Sequence, residues 1–185
     1  MLILASESPR RRELLGKIVK NFEVRSADIE EISSGADPFC VPEINAKLKA
    51  QAVADANRDA VVIGADTAII FENRVIGKPE DAAEAEQILA SFSGKTHSVV
   101  TGVAVVRTGK HPIDISFSEE SLVTFKAVTA DDIRKYLSLV HVLDKAGAYA
   151  IQEHGDIIIS NYTGSLENII GLPLEKLKVH LSKLL

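Results

Sequence analysis

The hydrophobic positions of this chain follow two kinds of pattern, which together predict a mixture of strands and helices. Apolar runs or strict alternation predict strands at residues 2–5, 21–26, 61–63, 68–71, 97–107, 115–128 and 157–159. Helical spacing between capping and breaking residues predicts helices at residues 10–19, 43–57, 81–92, 129–140 and from the Gly171–Pro173 break to Leu185. Because the hairpin predicted at residues 97–128 interrupts a strict βαβ order, we expect an α/β fold with a mixed sheet flanked by helices.

Local signals refine several of these elements. Ser8 is a suitable N-cap for the first helix, and Pro9 suits its first turn, where a missing N–H costs nothing. Thr129 and Asp132 resemble a capping box that opens the helix predicted to end near Val140. The polar, proline-containing stretch at residues 28–42 is interpreted as a loop. Residues 64–67 are interpreted as a sharp polar break between two short strands. The second helix is predicted to bury the face that carries Ile44, Leu48, Ala52 and Val53.

Length and composition narrow the class of protein. A chain of 185 residues with 46% hydrophobic and 25% charged residues predicts one globular domain spanning residues 1–185, with a weakly signalled division into two lobes near Val128. The net charge of −5 argues against a general nucleic-acid binder. Cys40 is the single cysteine, which excludes an internal disulfide. Without an apolar run long enough for a membrane span or a signal peptide, we expect a soluble cytoplasmic protein.

Candidate chemistry lies at the polar ends of the predicted elements. Residues 6–12 combine serines and arginines at a helix start, which suits either a phosphate or an ordinary capped surface helix with solvated arginines. Asp66 follows an apolar strand, where it would ligate Mg²⁺ or orient a water, or simply cap a turn. Lys78 lies beside Pro79 and would reach a phosphate, although most lysines are surface residues. Gln152 offers both a donor and an acceptor to the edge of a base, or belongs to an ordinary loop.

These residues also carry a family resemblance. The strings LASESPRRRELL, IEE, GADT, GKP, SGKTHSVVTGVAV, VTF, DKAGAYAIQ and GSLENIIGLPL occur in family order between residues 4 and 174. In this combination the chain resembles the Maf-like nucleoside triphosphate pyrophosphatases. The resemblance implies an elongated α/β fold with two lobes around a central cleft, similar to the inosine-triphosphatase group.

The resemblance also implies an activity and the residues that perform it. The expected reaction cleaves a nucleoside triphosphate between its α and β phosphates, with a divalent cation, Mg²⁺ or Mn²⁺, as cofactor. Ser8, Arg11 and Lys49 match family positions that line the phosphate site. Glu31, Asp66 and Lys78 match the catalytic centre, with Asp66 as general base and with Glu31 and Asp66 as metal ligands. The set is physically consistent, because the carboxylates would bind the metal ion while the lysine and arginine side chains neutralise charge on the phosphates.

Three further positions distinguish branches of the family. The branch acting on dTTP and UTP resembles this chain at Arg10, Thr67 and Gln152, whereas the branch acting on 7-methylguanosine triphosphate tends to carry Trp, Gln and Glu there. The expected substrates are therefore dTTP and UTP. Two rival hypotheses are a pyrophosphatase for modified purine nucleotides and a nucleotide-binding regulator of septum formation without turnover. We expect no nucleic-acid or membrane partner; a homodimer is compatible with such a domain, but no interface is readable from one chain.

The chain departs from the family pattern in the loop around Gln152. The usual AYGIQG is replaced by AYAIQEHG, which introduces Glu153 and His154. The family's GSY is replaced by GSL, with Leu166 where an aromatic ring is common. These changes bear on base preference more than on the reaction.

Overall fold

The computed structural model describes residues 1–26, 28–33 and 37–184. Its strands are β1 (Leu2–Leu4), β2 (Glu23–Val24), β3 (Val61–Phe71), β4 (Arg74–Ile76), β5 (Thr96–Arg107), β6 (Ile113–Phe125) and β7 (Ile159–Thr163). Its helices are α1 (Pro9–Gly16), α2 (Val41–Ala56), α3 (Ala82–Phe92), α4 (Ala130–Leu139), α5 (Leu166–Ile170) and α6 (Leu174–Leu181). None of the described helices has the length and apolar character that crossing a membrane requires.

One mixed sheet organises these elements. In the described residues it has seven strands, in the order β2-β1-β3-β5-β6-β7, and β4 pairs with β3 outside that path. Strand β1 is parallel to β2 and β3, whereas β3, β5, β6 and β7 pair antiparallel. The predicted α/β fold with a mixed sheet is therefore confirmed, and so is the hairpin of two long strands, β5 and β6.

The third strand differs from the sequence-based interpretation. Residues 64–67 do not form a break, because β3 runs without interruption from Val61 to Phe71 and pairs with β5 along this stretch. Gly64 suggested a turn, but here it pairs with Ala104 inside the ladder. The break interpretation was wrong because a glycine within a strand can mark a close approach of another backbone as well as a turn.

That close approach comes from helix α2. A Cβ at Gly64 would lie 2.2 Å from the Ala46 carbonyl oxygen, and one at Gly102 would lie 2.3 Å from the backbone nitrogen of Glu43. Real side chains never reach such distances, so α2 lies on β3 and β5 at a separation that only glycine allows. Two strand positions thereby set the height of α2 above the sheet.

The buried face of α2 also differs from the prediction. Ile44 and Leu48 are 38% and 40% exposed, while the side chains that face the sheet are mostly small: Val41, Pro42, Asn45, Ala46, Ala50, Val53 and Ala54. Small side chains fit best under a helix that approaches the sheet so closely. Of the predicted face only Val53 is buried, because the helical pattern ranked residues by hydrophobicity and so favoured Ile44 and Leu48.

In the described residues, buried apolar side chains form three clusters around the sheet. One lies between α1, α6 and the end of the sheet that carries Val61, Val105 and Ile113. The second lies on the opposite face under α2. The third packs the far halves of β3, β5 and β6 against α3 and α4, and its members come from both sides of Val128. A polar band of Thr67, Thr101, Ser121 and Asn168 crosses the sheet between the first and third clusters.

Smaller elements were predicted with mixed success. The Ser8 cap of α1 and the capping box of Thr129 and Asp132 on α4 are confirmed. The last strand begins at Ile159 rather than at residue 157, because residues 155–157 form a turn of 3₁₀ helix. Helix α5 was missed, since five residues are too few to show a periodic pattern. Part of the predicted loop at residues 28–42, residues 34–36, lies outside the described residues, as does Leu185.

Replacing Gly64 by alanine should test the contact between α2 and the sheet. The added methyl group collides with the α2 backbone, so we expect Gly64→Ala to lower the free energy of unfolding by about 3 kcal/mol, measured by urea denaturation. Gly16→Ala is the matched control, because nothing lies within 4 Å of its Cβ position. There we expect a gain of at most about 1 kcal/mol. Equal stability of the two variants would contradict the close contact.

Candidate functional site

A cleft of about 1210 Å³ opens where the middle of β3 meets the start of α1. Its walls come from residues far apart in the sequence: residues 5–11, 31–33, 66–69, 75–78, 144–146 and 149–153, with further residues of α2. All nine residues singled out in the sequence line this one cleft: Ser8, Arg10, Arg11, Glu31, Lys49, Asp66, Thr67, Lys78 and Gln152. The fold therefore brings these positions into one place.

Asp66 forms the floor of the cleft and is 9% exposed. Its Oδ1 accepts a hydrogen bond from the Lys49 ammonium at 2.8 Å, and its Oδ2 accepts one from Asn45 Nδ2 at 3.1 Å. Lys49 Nζ also lies 2.8 Å from Glu31 Oε1. Asp66 and Glu31 therefore share one ammonium group, which offsets much of the cost of burying the Asp66 carboxylate.

Asn45 positions both carboxylates. Its Nδ2 donates to Asp66 Oδ2 and to the Ile32 carbonyl oxygen, and its Oδ1 accepts the Ile32 N–H at 2.9 Å. The side chain thus ties the backbone beside Glu31 to the floor of the cleft. Sequence reasoning missed Asn45, although it stands four positions before Lys49 and therefore on the same helix face.

Arg11 forms the opposite side of the site. Its guanidinium donates to the Gly171 carbonyl oxygen at 2.9 Å, to Thr67 Oγ1 at 2.9 Å and to Ser6 Oγ at 3.3 Å. Ser8 caps the same helix by accepting the Arg11 N–H, which leaves its own hydroxyl proton available to a ligand oxygen. Three separate segments therefore hold Arg11.

Burial and charge act on Arg11 in opposite directions. Burial lowers the pKa of the guanidinium, whereas the nearby carboxylates of Asp66 and Glu31 raise it. An arginine keeps its proton throughout the range in which proteins fold. The cleft therefore presents a fixed positive charge on one side and a pair of carboxylates on the other.

Lys78 enters the cleft from the loop after β4. It is exposed, and no ion pair to it is found among the described residues. The loop is held by the neighbouring Gly77, whose carbonyl oxygen accepts the Gly147 N–H at 2.9 Å. Gly147 has a φ of 69°, and a Cβ there would lie 2.3 Å from Ile69 Cδ1. A glycine is thus required where the two loops meet.

Arg10 and Gln152 lie at another end of the cleft. Arg10 Nη1 lies 3.9 Å from Glu153 Oε1, and this carboxylate is 3.6 Å from Lys145 Nζ. Lys145 was not singled out in the sequence, yet its side chain is only 6% exposed and is bonded to Asp144 at 3.0 Å. Gln152 is exposed and stands next to Glu153. The family-atypical Glu153 therefore bridges two cations at this end.

Two buried aromatic residues support the segment that carries Gln152. The Tyr136 hydroxyl accepts the Ala150 N–H at 3.0 Å. Tyr149 Oη lies 2.7 Å from His97 Nε2 beneath the cleft. His97 is thus a residue of β5 with a structural hydrogen bond. The sequence suggested Tyr149 as a core residue, which its burial confirms, but neither of these hydrogen bonds was predicted, because they join residues 14 and 52 positions apart.

The residues that would hold a divalent cation are Asp66 and Glu31. Among the described residues no group of three or more His, Cys, Asp and Glu side chains is placed to hold a metal ion. Mg²⁺ is nevertheless commonly bound by one or two carboxylates together with substrate phosphates. Two carboxylates that already converge on one ammonium group fit that kind of site.

Comparison with known proteins places these residues in a family context. A family model described as Maf-like protein matches residues 1–184. A protein from Akkermansia muciniphila named dTTP/UTP pyrophosphatase is 45% identical over 177 residues, covering 94% of this chain and 90% of the relative. One of the same name from Bacillus cereus is 42% identical over 177 residues, covering 95% of this chain and 91% of the relative.

A solved structure shares the fold. The HAM1 protein from Coxiella burnetii superposes with a TM-score of 0.56 at 16% identity, covering 98% of each chain. At this identity the likeness concerns the fold alone. It agrees with the α/β architecture described above.

His97 predicts a specific pH dependence of stability. Burial lowers the pKa of its imidazole from 6.5 to about 4, so between these values the unfolded chain binds a proton that the folded protein does not. Stability therefore falls as the pH falls through this window, and between pH 7.5 and 5.0 His97 alone should remove about 2 kcal/mol. His97→Gln should remove this part of the pH dependence of the urea midpoint.

The matched control for this prediction is His111→Gln, on the exposed turn between β5 and β6. It should keep the pH dependence of the unmodified protein. An identical slope in both variants would mean that His97 does not contribute through its proton.

Proposed function

The chain belongs to the Maf-like protein family, and on that premise we propose that it is a nucleoside triphosphate pyrophosphatase for dTTP and UTP. It hydrolyses these nucleotides to the monophosphate and pyrophosphate. Relatives more than 40% identical over nearly the whole chain carry the name dTTP/UTP pyrophosphatase, which supports the assignment. We expect it to act in the cytoplasm, where it would remove surplus or damaged nucleotides.

One observation carries the chemical part of this proposal. Asp66 and Glu31 share the Lys49 ammonium at 2.8 Å each, and across the same cleft Arg11 is held by Thr67 and Gly171. A triphosphate needs cations along its chain and a carboxylate near the phosphorus that water attacks. The cleft supplies both within one cavity.

The reaction assigns distinct roles to the two sides. Asp66 accepts a proton from the attacking water while the water oxygen forms a bond to the α-phosphorus. The bond from the α-phosphorus to the oxygen shared with the β-phosphorus breaks, and pyrophosphate leaves with the bonding electrons. Each ionised carboxylate oxygen has two acceptor sites, so the bonds to Lys49 and Asn45 leave Asp66 room to bind the water.

The cations stabilise the charge that develops on the phosphates. Arg11, the Ser8 hydroxyl and Lys78 would contact phosphate oxygens, and Lys49 holds the carboxylates in place. Arg11, Ser8 and Lys49 are hydrogen-bonded in place before the substrate arrives, so little reorganisation is needed as pyrophosphate leaves. Lys78 is exposed, and we assign it to the charge on the leaving pyrophosphate.

We further propose a divalent cation, Mg²⁺ or Mn²⁺, held by Asp66 and Glu31 together with phosphate oxygens. Such an ion would polarise the phosphate and lower the pKa of a bound water. The convergence of the two carboxylates on Lys49 supports this set of ligands. The Lys49 ammonium would then have to move to make room for the cation between the two carboxylates.

Base selection would depend on the end of the cleft that carries Arg10 and Gln152. An amide can donate to a carbonyl and accept from an N–H at the same time, which suits the edge of uracil or thymine. A glutamate at this place would only accept, which suits a purine edge with donors. We therefore propose Gln152 as the residue that reads the pyrimidine base, with Arg10 beside it.

Asp66→Asn should test the chemical step. The amide keeps the shape but cannot take a proton, so we expect kcat for pyrophosphate release from dTTP to fall by about 10³-fold while the protein still folds, as checked by circular dichroism. Asp114→Asn is the matched control, because Asp114 also pairs with a lysine of α2, Lys47, at 2.9 Å but on the surface. It should retain full activity.

The same assay separates the rival hypotheses. Orthophosphate with a diphosphate product would contradict cleavage at the α-phosphorus. Nucleotide binding without any product in the unmodified protein would favour the non-catalytic regulator. Full activity of Asp66→Asn would contradict its role as base.

Gln152→Glu should change base preference. We expect kcat/KM for dTTP and UTP to fall at least about tenfold relative to 7-methylguanosine triphosphate, because the carboxylate leaves a base carbonyl without a donor. Gln87→Glu, the same exchange on the exposed surface of α3, should leave the ratio unchanged. An unchanged ratio in Gln152→Glu would show that this residue does not contact the base.

A further inference from the structure

The polar band between the apolar clusters ends at Arg11. Arg11 Nη2 lies 2.9 Å from Thr67 Oγ1, which lies 3.0 Å from Thr101 Oγ1, which lies 2.8 Å from the Asn168 carbonyl oxygen. Thr101 and Asn168 are completely buried. Neither was singled out in the sequence, and neither lines the cleft.

The directions of these hydrogen bonds follow from the groups involved. A carbonyl oxygen can only accept, so the single proton of Thr101 is donated to Asn168. Thr101 must then accept from Thr67, and the Thr67 proton is used there. Thr67 is consequently left with lone pairs only, which suit a guanidinium that can only donate. All bonds point the same way, from Arg11 to Asn168, and such chains strengthen one another.

The far end of this chain is firmly anchored. Asn168 Nδ2 donates to the Val99 carbonyl oxygen at 3.1 Å and to Ser121 Oγ at 2.8 Å. Asn168 belongs to α5, and Gly171, just after α5, provides the carbonyl oxygen that accepts from Arg11 Nε. Two of the three supports of the guanidinium therefore depend on the segment that runs from Asn168 to Gly171: the Gly171 carbonyl oxygen directly, and Thr67 through Thr101.

This arrangement determines which N–H groups Arg11 can offer. A guanidinium has five N–H donors, and the three bonds found within the described residues leave two for a ligand. With Nε and one hydrogen of Nη2 fixed, the guanidinium plane has one orientation. A planar pair of donors in a fixed orientation is what a phosphate group requires for recognition.

We propose that Thr101 is a positioning residue for phosphate recognition, acting through Thr67 on Arg11. The inference rests on the proposed function and adds residues that do not touch the substrate. It also assigns Thr67 a role: its hydroxyl serves Arg11 and is not the group that reads the base. Substitutions of Thr101 or Thr67 should then lower kcat/KM by the same factor for every nucleoside triphosphate.

Thr101→Val removes the hydroxyl and keeps the shape of the side chain. The Thr67 proton is then free to turn towards Arg11, so we expect kcat/KM to fall about tenfold for dTTP, UTP and 7-methylguanosine triphosphate alike. Thr101→Ser restores the hydroxyl and should regain most of the activity. Thr96→Val is the matched control, since Thr96 makes the same kind of hydroxyl contact with Thr124, at 2.9 Å, on the exposed part of β5 and β6.

A double-mutant cycle tests whether the effect passes through Arg11. In an Arg11→Lys background, which lacks the planar fork, Thr101→Val should change kcat/KM by less than about twofold. The same tenfold loss in that background would overturn the proposal. A change in the ratio of kcat/KM between pyrimidine and purine substrates would also overturn it, because the hydrogen bonds from Asn168 to Arg11 would then influence recognition of the base.

A binding measurement makes the test independent of turnover. Inorganic tripolyphosphate contains no base, and Thr101→Val should weaken its binding by the same factor, measured by calorimetry. If the unmodified protein releases no pyrophosphate but binds tripolyphosphate with this dependence, the proposed function fails and the positioning role stands. Equal affinity in both proteins, or no binding to the unmodified protein, would overturn the role. Thr67→Val and Thr67→Ser provide the same comparison if Thr101→Val does not fold.

Discussion

The approach of helix α2 to the sheet is the constraint on which the site depends. Gly64 and Gly102 place no side chain between the helix and the strands, so the α2 backbone rests almost directly on β3 and β5. At this height the side chains of Asn45 and Lys49 reach Asp66 in the middle of β3. A helix raised by a methyl group or more would leave the Asp66 carboxylate buried without partners, which is costly.

The same constraint explains the distribution of charge. The buried carboxylate of Asp66 persists because Lys49 and Asn45 occupy both of its oxygens, while Glu31 shares the lysine from the rim. Arg11 is half-buried and rests on other supports, which are the neutral oxygens of Ser6, Thr67 and Gly171. Because no carboxylate of the described residues is directly bonded to it, the positive charge of Arg11 stays available for an anion. The polar groups thus keep the acidic and basic halves of the cleft apart.

Sequence reasoning recovered elements whose pattern is local. The hairpin of β5 and β6, the Ser8 cap and the capping box of α4 depend on neighbours a few positions apart, and all were predicted. The errors arose where a distant element changed the meaning of a residue. Gly64 suggested a turn because glycine often provides backbone flexibility there. In the structure, its missing side chain instead allows the α2 backbone to approach β3. Ile44 and Leu48 suggested a buried face because they are hydrophobic. The sequence does not show how little space lies between α2 and the sheet.

The sequence by itself determined the α/β class, the order of most elements and, through family motifs, nine residues that all line one cleft. Those motifs are short and contiguous, so they can be recognised from the amino-acid sequence alone. Only the tertiary structure decided how these residues are partnered: that Lys49 lies between two carboxylates, that Asn45 supports them, and that Thr67 is bonded to Arg11. Each of these contacts joins segments that are distant in the sequence, and hydrogen-bond geometry between such segments exists only once the sheet and α2 are packed together.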